Sequence, residues 1–423
     1  SDPHRVWKSP AHAAPDGRSP LACALLATPR HALLAALRGQ PAALQKVAAR
    51  DDGSLASLSA AWALRANARE QDCEAFPSLF EWRRETAEAL LAIGGRVLAQ
   101  HRDRAGRTAL HYAAAAGDSE VSRSLLRLGA EAEASDSRGQ TPAHAAAARG
   151  HEDIAAELRS PASSATRRDE YGNSVSELLA SQVAAREDVA VVEATDFDVD
   201  DVMRLYVTAQ RPAIFRGGAE RLLGLMPERW RDLKRLDSVL GSTPLSAGLV
   251  PYASDSPLGK RHVSLAEFLA QTPAEGGELP QPYVFDVAVS SRCPALLEGV
   301  ELFPSHVRER HLAYVRQPQF GLGFRGAGAH WHSHHAAMNA LFVGRKRWFL
   351  TPPEATTWSH LPAAAWVASE ERGALERRGV LLEITQEAGD LVFVPEGWGH
   401  ATLLEEYCIG IGQEFIPNAS LWS

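Results

Sequence analysis

The sequence predicts an α+β multidomain protein in which an α-helical repeat array precedes a β-barrel domain. Two observations support this prediction. In the first half, Gly106, Gly139 and Gly172 recur at intervals of 33 residues. In the second half, a histidine-rich segment at residues 330–335 precedes a β-rich run, and His400 follows about 65 residues later. A chain of 423 residues is also too long for one hydrophobic core.

The repeated phrase of the first half is a turn that leads into an alanine-rich helix. DRAGRTALH at 103–111 and DSRGQTPAH at 136–144 are variants of it, and a second helix follows each. A 33-residue period with this start is the ankyrin signature, and the segment resembles ankyrin repeats. A degenerate unit begins at Asp169, and two weaker units begin near Asp16 and Asp52. We expect an ankyrin-repeat domain at residues 14–185.

His111 and His144 occupy the same position in two successive repeats. The resemblance implies that this histidine caps the first helix and bonds the turn. We therefore predict a structural role for both rings rather than metal binding.

The histidine-rich segment has the spacing of a metal site on a β-barrel. Residues i and i+2 of a strand point to the same face, so His332 and His334 can reach one ion. His400, in a Gly-Trp-Gly-His context, would supply a third ligand from a distant strand. Such a facial triad leaves positions open for substrate and oxygen, and it suits iron, zinc, copper or nickel. Solvent-exposed loop histidines are the alternative, but four histidines within six residues disfavour it.

Several further motifs follow in order: RPAIFRG at 211–217, GRKRW at 344–348, TPPE at 351–354 and GDLVFVPEGWGHATL at 389–403. Together they make residues 191–417 resemble the JmjC (jumonji C) cupins. Members of that family are double-stranded β-helix proteins, and most are Fe(II)- and 2-oxoglutarate-dependent oxygenases. The resemblance implies a JmjC cupin domain at residues 190–420, with Fe(II) and 2-oxoglutarate as cofactors. A helical insertion at residues 358–378 would act as a lid or a dimer surface.

The metal motif of the family, His-x-Asp/Glu followed by a distant His, falls on His332, His334 and His400. His334 thus replaces the carboxylate ligand. Ala329 stands where the family usually has threonine, and Glu414 stands where it often has asparagine. The resulting His-x-His pattern resembles a small JmjC subgroup, one member of which is a protein of the endoplasmic reticulum lumen.

A second register of the metal motif remains open. The segment GAGAHWH also resembles the GTGxHxD form of the motif, which would make His330 and His332 the ligands. His332 is a ligand in both registers. His334 is favoured because that register needs no gap before Gly344.

The family lysine that binds the distal carboxylate of 2-oxoglutarate falls on Lys346, and we also assign Asn339 and Tyr283 to co-substrate binding. Strand alternation supports the lysine, since Lys346, Trp348 and Leu350 share one face. A lysine on an inward, apolar face needs an anion, which a bound dicarboxylate supplies. An edge lysine in solvent is the alternative.

These patterns predict a 2-oxoglutarate-dependent hydroxylase acting on a protein or peptide, with the ankyrin repeats holding the substrate or a partner. Because the carboxylate ligand is replaced, a non-catalytic metal-binding JmjC interaction protein is the alternative. The two differ in whether 2-oxoglutarate is converted to succinate.

Composition excludes some partners. The net charge is −8, and acidic and basic residues interleave, which disfavours nucleic acid and anionic membranes. The absence of a long apolar stretch predicts a soluble protein. The four cysteines are scattered and form no CxxC pair. The sequence leaves open the oligomeric state and a cytoplasmic, nuclear or secretory location.

Overall fold

The computed structural model describes most of the chain between residues 99 and 417. Within this interval it does not describe residues 101, 103–105, 160–166, 196–197, 222–223, 225–229, 231, 251–260, 272–279, 301 and 357–358. The backbone divides into two compact units between Ala180 and Ser181. The weak repeats expected near Asp16 and Asp52 lie outside the described residues.

Short paired helices build the repeat unit. Their bounds are α1 (Ala109–Ala115), α2 (Ser119–Arg127), α3 (Pro142–Ala147), α4 (Glu152–Leu158) and α5 (Val175–Glu187), the last of which contains the division between the units. Every residue of α1 and α3 is buried. Alanine-rich helices can lie close together, and α1 packs against α3 in the successive repeat.

The turn before each repeat explains the 33-residue spacing. Gly106, Gly139 and Gly172 have φ angles of +75°, +72° and +81°, a region in which an L side chain is strained. The carboxylate of Asp136 accepts two backbone N–H bonds of 2.9 Å from its turn. The carboxylate of Asp169 accepts the equivalent bonds at 3.0 and 2.8 Å. The periodic glycines are therefore required by turn geometry.

The two repeat histidines join these turns to the helices. Nε2–H of His111 donates to the Gln140 carbonyl at 3.1 Å, so its Nδ1 accepts from the Thr108 N–H at 3.0 Å. In His144, Nδ1 accepts from the Thr141 N–H at 3.3 Å. Both rings are buried. These contacts confirm the predicted structural role.

Two β-sheets form the second unit. The large sheet has the order β1-β2-β11-β8-β13-β7-β5-β3-β4, with β6 also paired to β13, and the small sheet has the order β10-β9-β12. The strands are β1 (Ala190–Glu193), β2 (Ala213–Arg216), β3 (Leu245–Gly248), β4 (Arg261–Val263), β5 (Tyr283–Asp286), β6 (Leu312–Val315), β7 (Gln319–Gly323), β8 (Ala337–Val343), β9 (Arg345–Thr351), β10 (Leu382–Glu387), β11 (Leu391–Val394), β12 (Gly399–Leu404) and β13 (Cys408–Pro417). All the pairings except the parallel pair β1–β2 are antiparallel.

The inner faces of the two sheets pack on each other. Ile214 and Val392 of the large sheet share one buried cluster with Trp348 and Leu350 of the small sheet. This is a double-stranded β-helix arrangement, which confirms the predicted fold class.

The outer face of the large sheet is covered by helices. These are α6 (Val199–Val202), α7 (Gly218–Arg221), α8 (Leu233–Leu240), α9 (Leu265–Gln271), α10 (Val289–Arg292) and α11 (Ser305–His311), with a π-helix at Met203–Val207 and a 3-10 helix at Pro294–Leu297. Trp230 anchors this layer, because its ring lies 5.0 Å from that of Phe342 and 5.7 Å from that of Phe320. Among the described residues, no helix has the length and apolar character of a membrane span.

The predicted insertion covers the outer face of the small sheet. A 3-10 turn at Pro353–Ala355 precedes two helices, α12 (Ala363–Val367) and α13 (Glu370–Arg377). Trp366 is fully buried, and its ring stacks on Trp331 at 4.6 Å and meets Phe349 edge-on at 5.5 Å. The helices thus bury Phe349, although it lies on the face opposite Lys346.

Candidate metal centre

His332 and His400 lie side by side at the end of the small sheet. The His332 N–H donates to the His400 carbonyl at 2.9 Å, and the His400 N–H donates to the His332 carbonyl at 2.8 Å. His334 follows in the same segment, and its carbonyl accepts from the Gly397 N–H at 3.0 Å. The turn that precedes His400 therefore holds the His332–His334 segment through backbone hydrogen bonds.

The three imidazoles converge. One ring nitrogen from each of His332, His334 and His400 lies within 4.8 Å of the other two. The ring centroids are 4.2 Å apart for His332 and His400, 4.7 Å for His334 and His400, and 5.1 Å for His332 and His334. His332 and His400 are buried, whereas His334 is half-buried. The geometry suits one ion held from one side.

Backbone carbonyls select the proton position on each ring. In all three, Nδ1 lies within hydrogen-bonding distance of a carbonyl oxygen, which can only accept. The acceptors are His330 O for His332 at 2.6 Å, His335 O for His334 at 2.6 Å and Trp398 O for His400 at 3.0 Å. Each Nδ1 therefore carries the proton, and each Nε2 presents a lone pair. This is the tautomer that an Nε2-ligated metal requires.

The pKa values of the three rings are lowered, so the imidazoles stay neutral. Burial, with a smaller effect of His334, lowers the pKa of His400 to about 3. Burial is the main cause, and nearby His400 a smaller one, of a pKa of His332 that lies well below its ordinary value. Burial also lowers the pKa of His334. Three neutral imidazoles are the protonation state that binds a divalent cation.

His330 does not belong to this group within the described part of the chain. It is fully buried, and its ring lies 5.6 Å from that of His332. Burial, followed by repulsion from His360, lowers its pKa to about 4. The structure thus brings together His332, His334 and His400, the set that the first register predicts.

A carboxylate lies near the triad without belonging to it. Glu414 is buried, accepts from Nε2 of Gln319 at 2.8 Å, and accepts at both oxygens from Arg316 at 3.1 Å. Burial acts to raise the pKa of Glu414, but His334, Gln319 and Arg316 together lower it below its ordinary value. Sequence reasoning missed Arg316 and Gln319, because only strand pairing brings β6 and β7 to the end of β13.

Lys346 projects into the barrel, as strand alternation predicted. It is 2% exposed, its Nζ donates to Asn339 Oδ1 at 3.3 Å, and it lies 5.5 Å from the centroid of the Trp348 ring. Burial lowers its pKa to about 8, against an opposing effect of Cys408. In the described structure the ammonium has an amide oxygen and an aromatic face as neighbours, and a bound anion would complete its environment.

Tyr283 also lies in the barrel interior, in an apolar cluster with Leu341 and Cys408. Its hydroxyl lies over Gly321, where any side chain would collide with it. Burial raises the pKa of Tyr283, so the phenol stays protonated. Gly321, on the neighbouring strand β7, therefore leaves room for the tyrosine ring.

Comparison with known proteins identifies the first unit. A family model of ankyrin repeats matches three copies at residues 81–169. This agrees with the glycine spacing, the capping histidines and the paired helices.

The second unit is similar to JmjC proteins. It is 38% identical over 86 residues to "JmjC domain-containing protein 8" of Mus musculus, which covers 20% of this chain and 32% of that protein. It is 33% identical over 119 residues to "2-oxoglutarate and iron-dependent oxygenase JMJD4" of Homo sapiens, a match that covers 23% of this chain and 28% of that protein. It is 21% identical over 252 residues to "Arginine-specific demethylase JMJ22" of Arabidopsis thaliana, a match that covers 55% of this chain and 47% of that protein. The chain spans about a third to a half of these relatives.

Fold and site therefore define a cupin-type β-barrel with a three-histidine cluster, preceded by helical repeats. The chain carries ankyrin repeats and a unit similar to JmjC proteins, which is consistent with the fusion that the motifs predicted.

Proposed function

We propose that the β-barrel unit is an Fe(II)- and 2-oxoglutarate-dependent oxygenase that hydroxylates a protein or peptide. One observation carries the proposal: three buried or half-buried imidazoles, each with Nδ1 near a backbone carbonyl, bring one ring nitrogen each to within 4.8 Å of the other two. A structural cluster of histidines would gain nothing from converging acceptors. The names of the relatives, a "2-oxoglutarate and iron-dependent oxygenase" and an "Arginine-specific demethylase", support the general class.

The donor set fits Fe(II). Imidazole nitrogens suit iron, and a facial set leaves open positions for other ligands. His332, His334 and His400 would hold the ion, and they would add no charge because all three are neutral. When bound, Fe(II) with 2-oxoglutarate supplies oxygen activation. The uncompensated +2 charge would favour an anionic co-substrate.

Lys346 and Asn339 would bind the distal carboxylate of that co-substrate. Lys346 is a buried cation on the inward face of β9, and Asn339 is its amide neighbour on β8. Charge-assisted hydrogen bonds of a buried ammonium to a carboxylate are strong because little water competes. Tyr283 would bound the same chamber from β5.

The ankyrin repeats would hold the protein substrate or a partner. Repeat arrays offer extended surfaces and seldom carry chemistry themselves. In the described repeats His111 and His144 are buried and make hydrogen bonds within the array. Recognition would therefore depend on exposed side chains such as those of α2 and α4.

A second function is favoured by the absence of a carboxylate from the described histidine cluster. With His334 in place of an acidic ligand, the centre would bind a metal without turnover, and the protein would act by interaction alone. Three neutral ligands would raise the reduction potential of a bound iron relative to a site with an acidic ligand, which would disfavour oxidation of that iron.

Succinate formation separates the two functions. The full chain would be loaded with Fe(II) without oxygen, supplied with 2-oxoglutarate and air, and followed by NMR for succinate. If the chain is an oxygenase, the wild type should form succinate and the His332→Ala variant should not. Metal binding without succinate, in the presence of peptides from captured partners, would support the interaction protein and contradict turnover. Absence of metal binding would contradict both.

A further inference from the structure

A buried carboxylate lies beside the triad at the end of β13. Glu414 is 4% exposed and pairs in register with Ala337 of β8. The next residue, Phe415, donates its N–H to the Ala336 carbonyl at 2.8 Å. These backbone bonds attach the end of β13 to the segment that directly follows His334. The position of Glu414 relative to the triad is thus set by the strand pairing.

Two side chains hold the carboxylate in place. Nη1 of Arg316 lies 3.1 Å from each oxygen of Glu414, and Nε2 of Gln319 donates to Oε1 at 2.8 Å. Both oxygens are therefore already engaged. Among the described residues the converging ligand atoms come from histidines only, so Glu414 lies outside the set of direct ligands.

The ion pair is formally neutral, but its two charges are screened differently. The side chain of Arg316 is 52% exposed, whereas that of Glu414 is 6% exposed. Water weakens the field of the guanidinium more than that of the carboxylate. We therefore expect the carboxylate to act on the barrel interior more strongly than the guanidinium does.

We propose that Glu414 compensates for the acidic ligand that the triad lacks. From outside the coordination shell, its carboxylate would stabilise a divalent ion on three neutral imidazoles. This inference rests on the proposed metal centre and names a residue that tunes its affinity. Arg316 would moderate the effect, because it neutralises part of the carboxylate charge.

Metal affinity of the whole 423-residue chain tests the proposal without relying on turnover. Co(II) would be titrated calorimetrically into wild type, Glu414→Gln, Arg316→Gln and Glu371→Gln. Glu414→Gln keeps the shape but removes the charge, and binding should weaken about 10- to 100-fold. Arg316→Gln leaves the carboxylate unneutralised, and binding should tighten about two- to fivefold, the range for a half-exposed charge. Exposed Glu371, on α13, controls for net charge and should have no effect.

The proposal predicts that Glu414→Gln weakens Co(II) binding and that Arg316→Gln tightens it. If Glu414 and Arg316 form only a structural pair, both substitutions would shift the affinity in the same direction. That result, or a Glu414→Gln dissociation constant within twofold of wild type, overturns the proposal. Glu414→Asp keeps the charge and should retain affinity, which covers the case in which Glu414→Gln does not fold. Failure of the wild type to bind Co(II) would instead refute the metal centre itself.

Discussion

At the residue scale, the distinction between the two histidine registers is the sharpest result. His330 and His334 are each two residues from His332, so alternation allows either one to share its face. In the structure His334 joins the cluster with His400, whereas His330 contributes its carbonyl to His332 Nδ1. His330 therefore contributes to the site through its backbone carbonyl, which binds His332, and not through its own ring.

This difference predicts unequal effects of two matched substitutions. His334→Ala removes one of three ligands, and we expect Co(II) affinity to fall more than about 100-fold, beyond the usual effect of an outer-shell partner. His330→Ala keeps the carbonyl and should change affinity less than about fivefold. Calorimetric titration of both variants, with circular dichroism to verify folding, measures this. The reverse order of effects would establish the other register.

The lowered pKa of Lys346 predicts that both stability and dicarboxylate binding depend on pH. Its pKa of about 8 in the folded protein is below the ordinary 10.5, so between these values the unfolded chain holds more protons. The stability of the unliganded protein should therefore rise with pH across this window. A bound dicarboxylate favours the charged ammonium, so binding above pH 8 should take up a proton and weaken as pH rises.

Calorimetry with N-oxalylglycine, a dicarboxylate analogue of 2-oxoglutarate, in buffers of different ionisation enthalpy measures that proton uptake. Lys346→Ala should remove the uptake and lower affinity more than about tenfold, since it breaks a buried charge pair. Unchanged affinity, or no proton uptake in the wild type, would place the dicarboxylate elsewhere.

At the scale of elements, alternation along β9 decides which face binds and which face packs. Lys346 and Trp348 point inward, while Arg345 and Arg347 form surface ion pairs with Glu405 and others. Phe349 lies on the outward face but is buried, because α12 and α13 cover it. Periodicity predicted the faces, but it did not reveal that an insertion would bury one residue of the outer face.

This cover predicts a large loss of stability on truncation of its central side chain. Trp366→Ala removes a fully buried indole that stacks on Trp331 and meets Phe349. We expect the free energy of unfolding to fall by about 3–5 kcal/mol. Val367→Ala, at a partly buried neighbour, should cost about 1 kcal/mol or less. Denaturant unfolding measures both, and equal small losses would mean that the insertion packs loosely.

At the scale of the whole molecule, we expect the two units to have separable roles. Deleting residues 1–174 removes the repeats but retains α5, whose Ala185 packs into the β-barrel unit. We expect Co(II) affinity to change little, because all three histidines and Glu414 lie in the second unit. Capture of the natural partner, measured by pull-down against the full chain, should be lost. A shortened chain that captures the partner equally well would leave the repeats a purely structural role.

The sequence by itself determined the repeats and the inward phase of Lys346. Both are local properties: a glycine with positive φ every 33 residues, and side chains that alternate along one strand. Motif order also located His332 and His400, although they are 68 residues apart.

Only the tertiary structure decided which histidine joins them, and it alone placed Glu414 with Arg316 and Gln319. These residues meet through the pairing of β13 with β6, β7 and β8, strands that are far apart in the chain. Hydrogen-bond register between distant strands depends on how the whole barrel closes. No local pattern of residues records that register, so the acidic neighbour of the triad emerged only from the folded molecule.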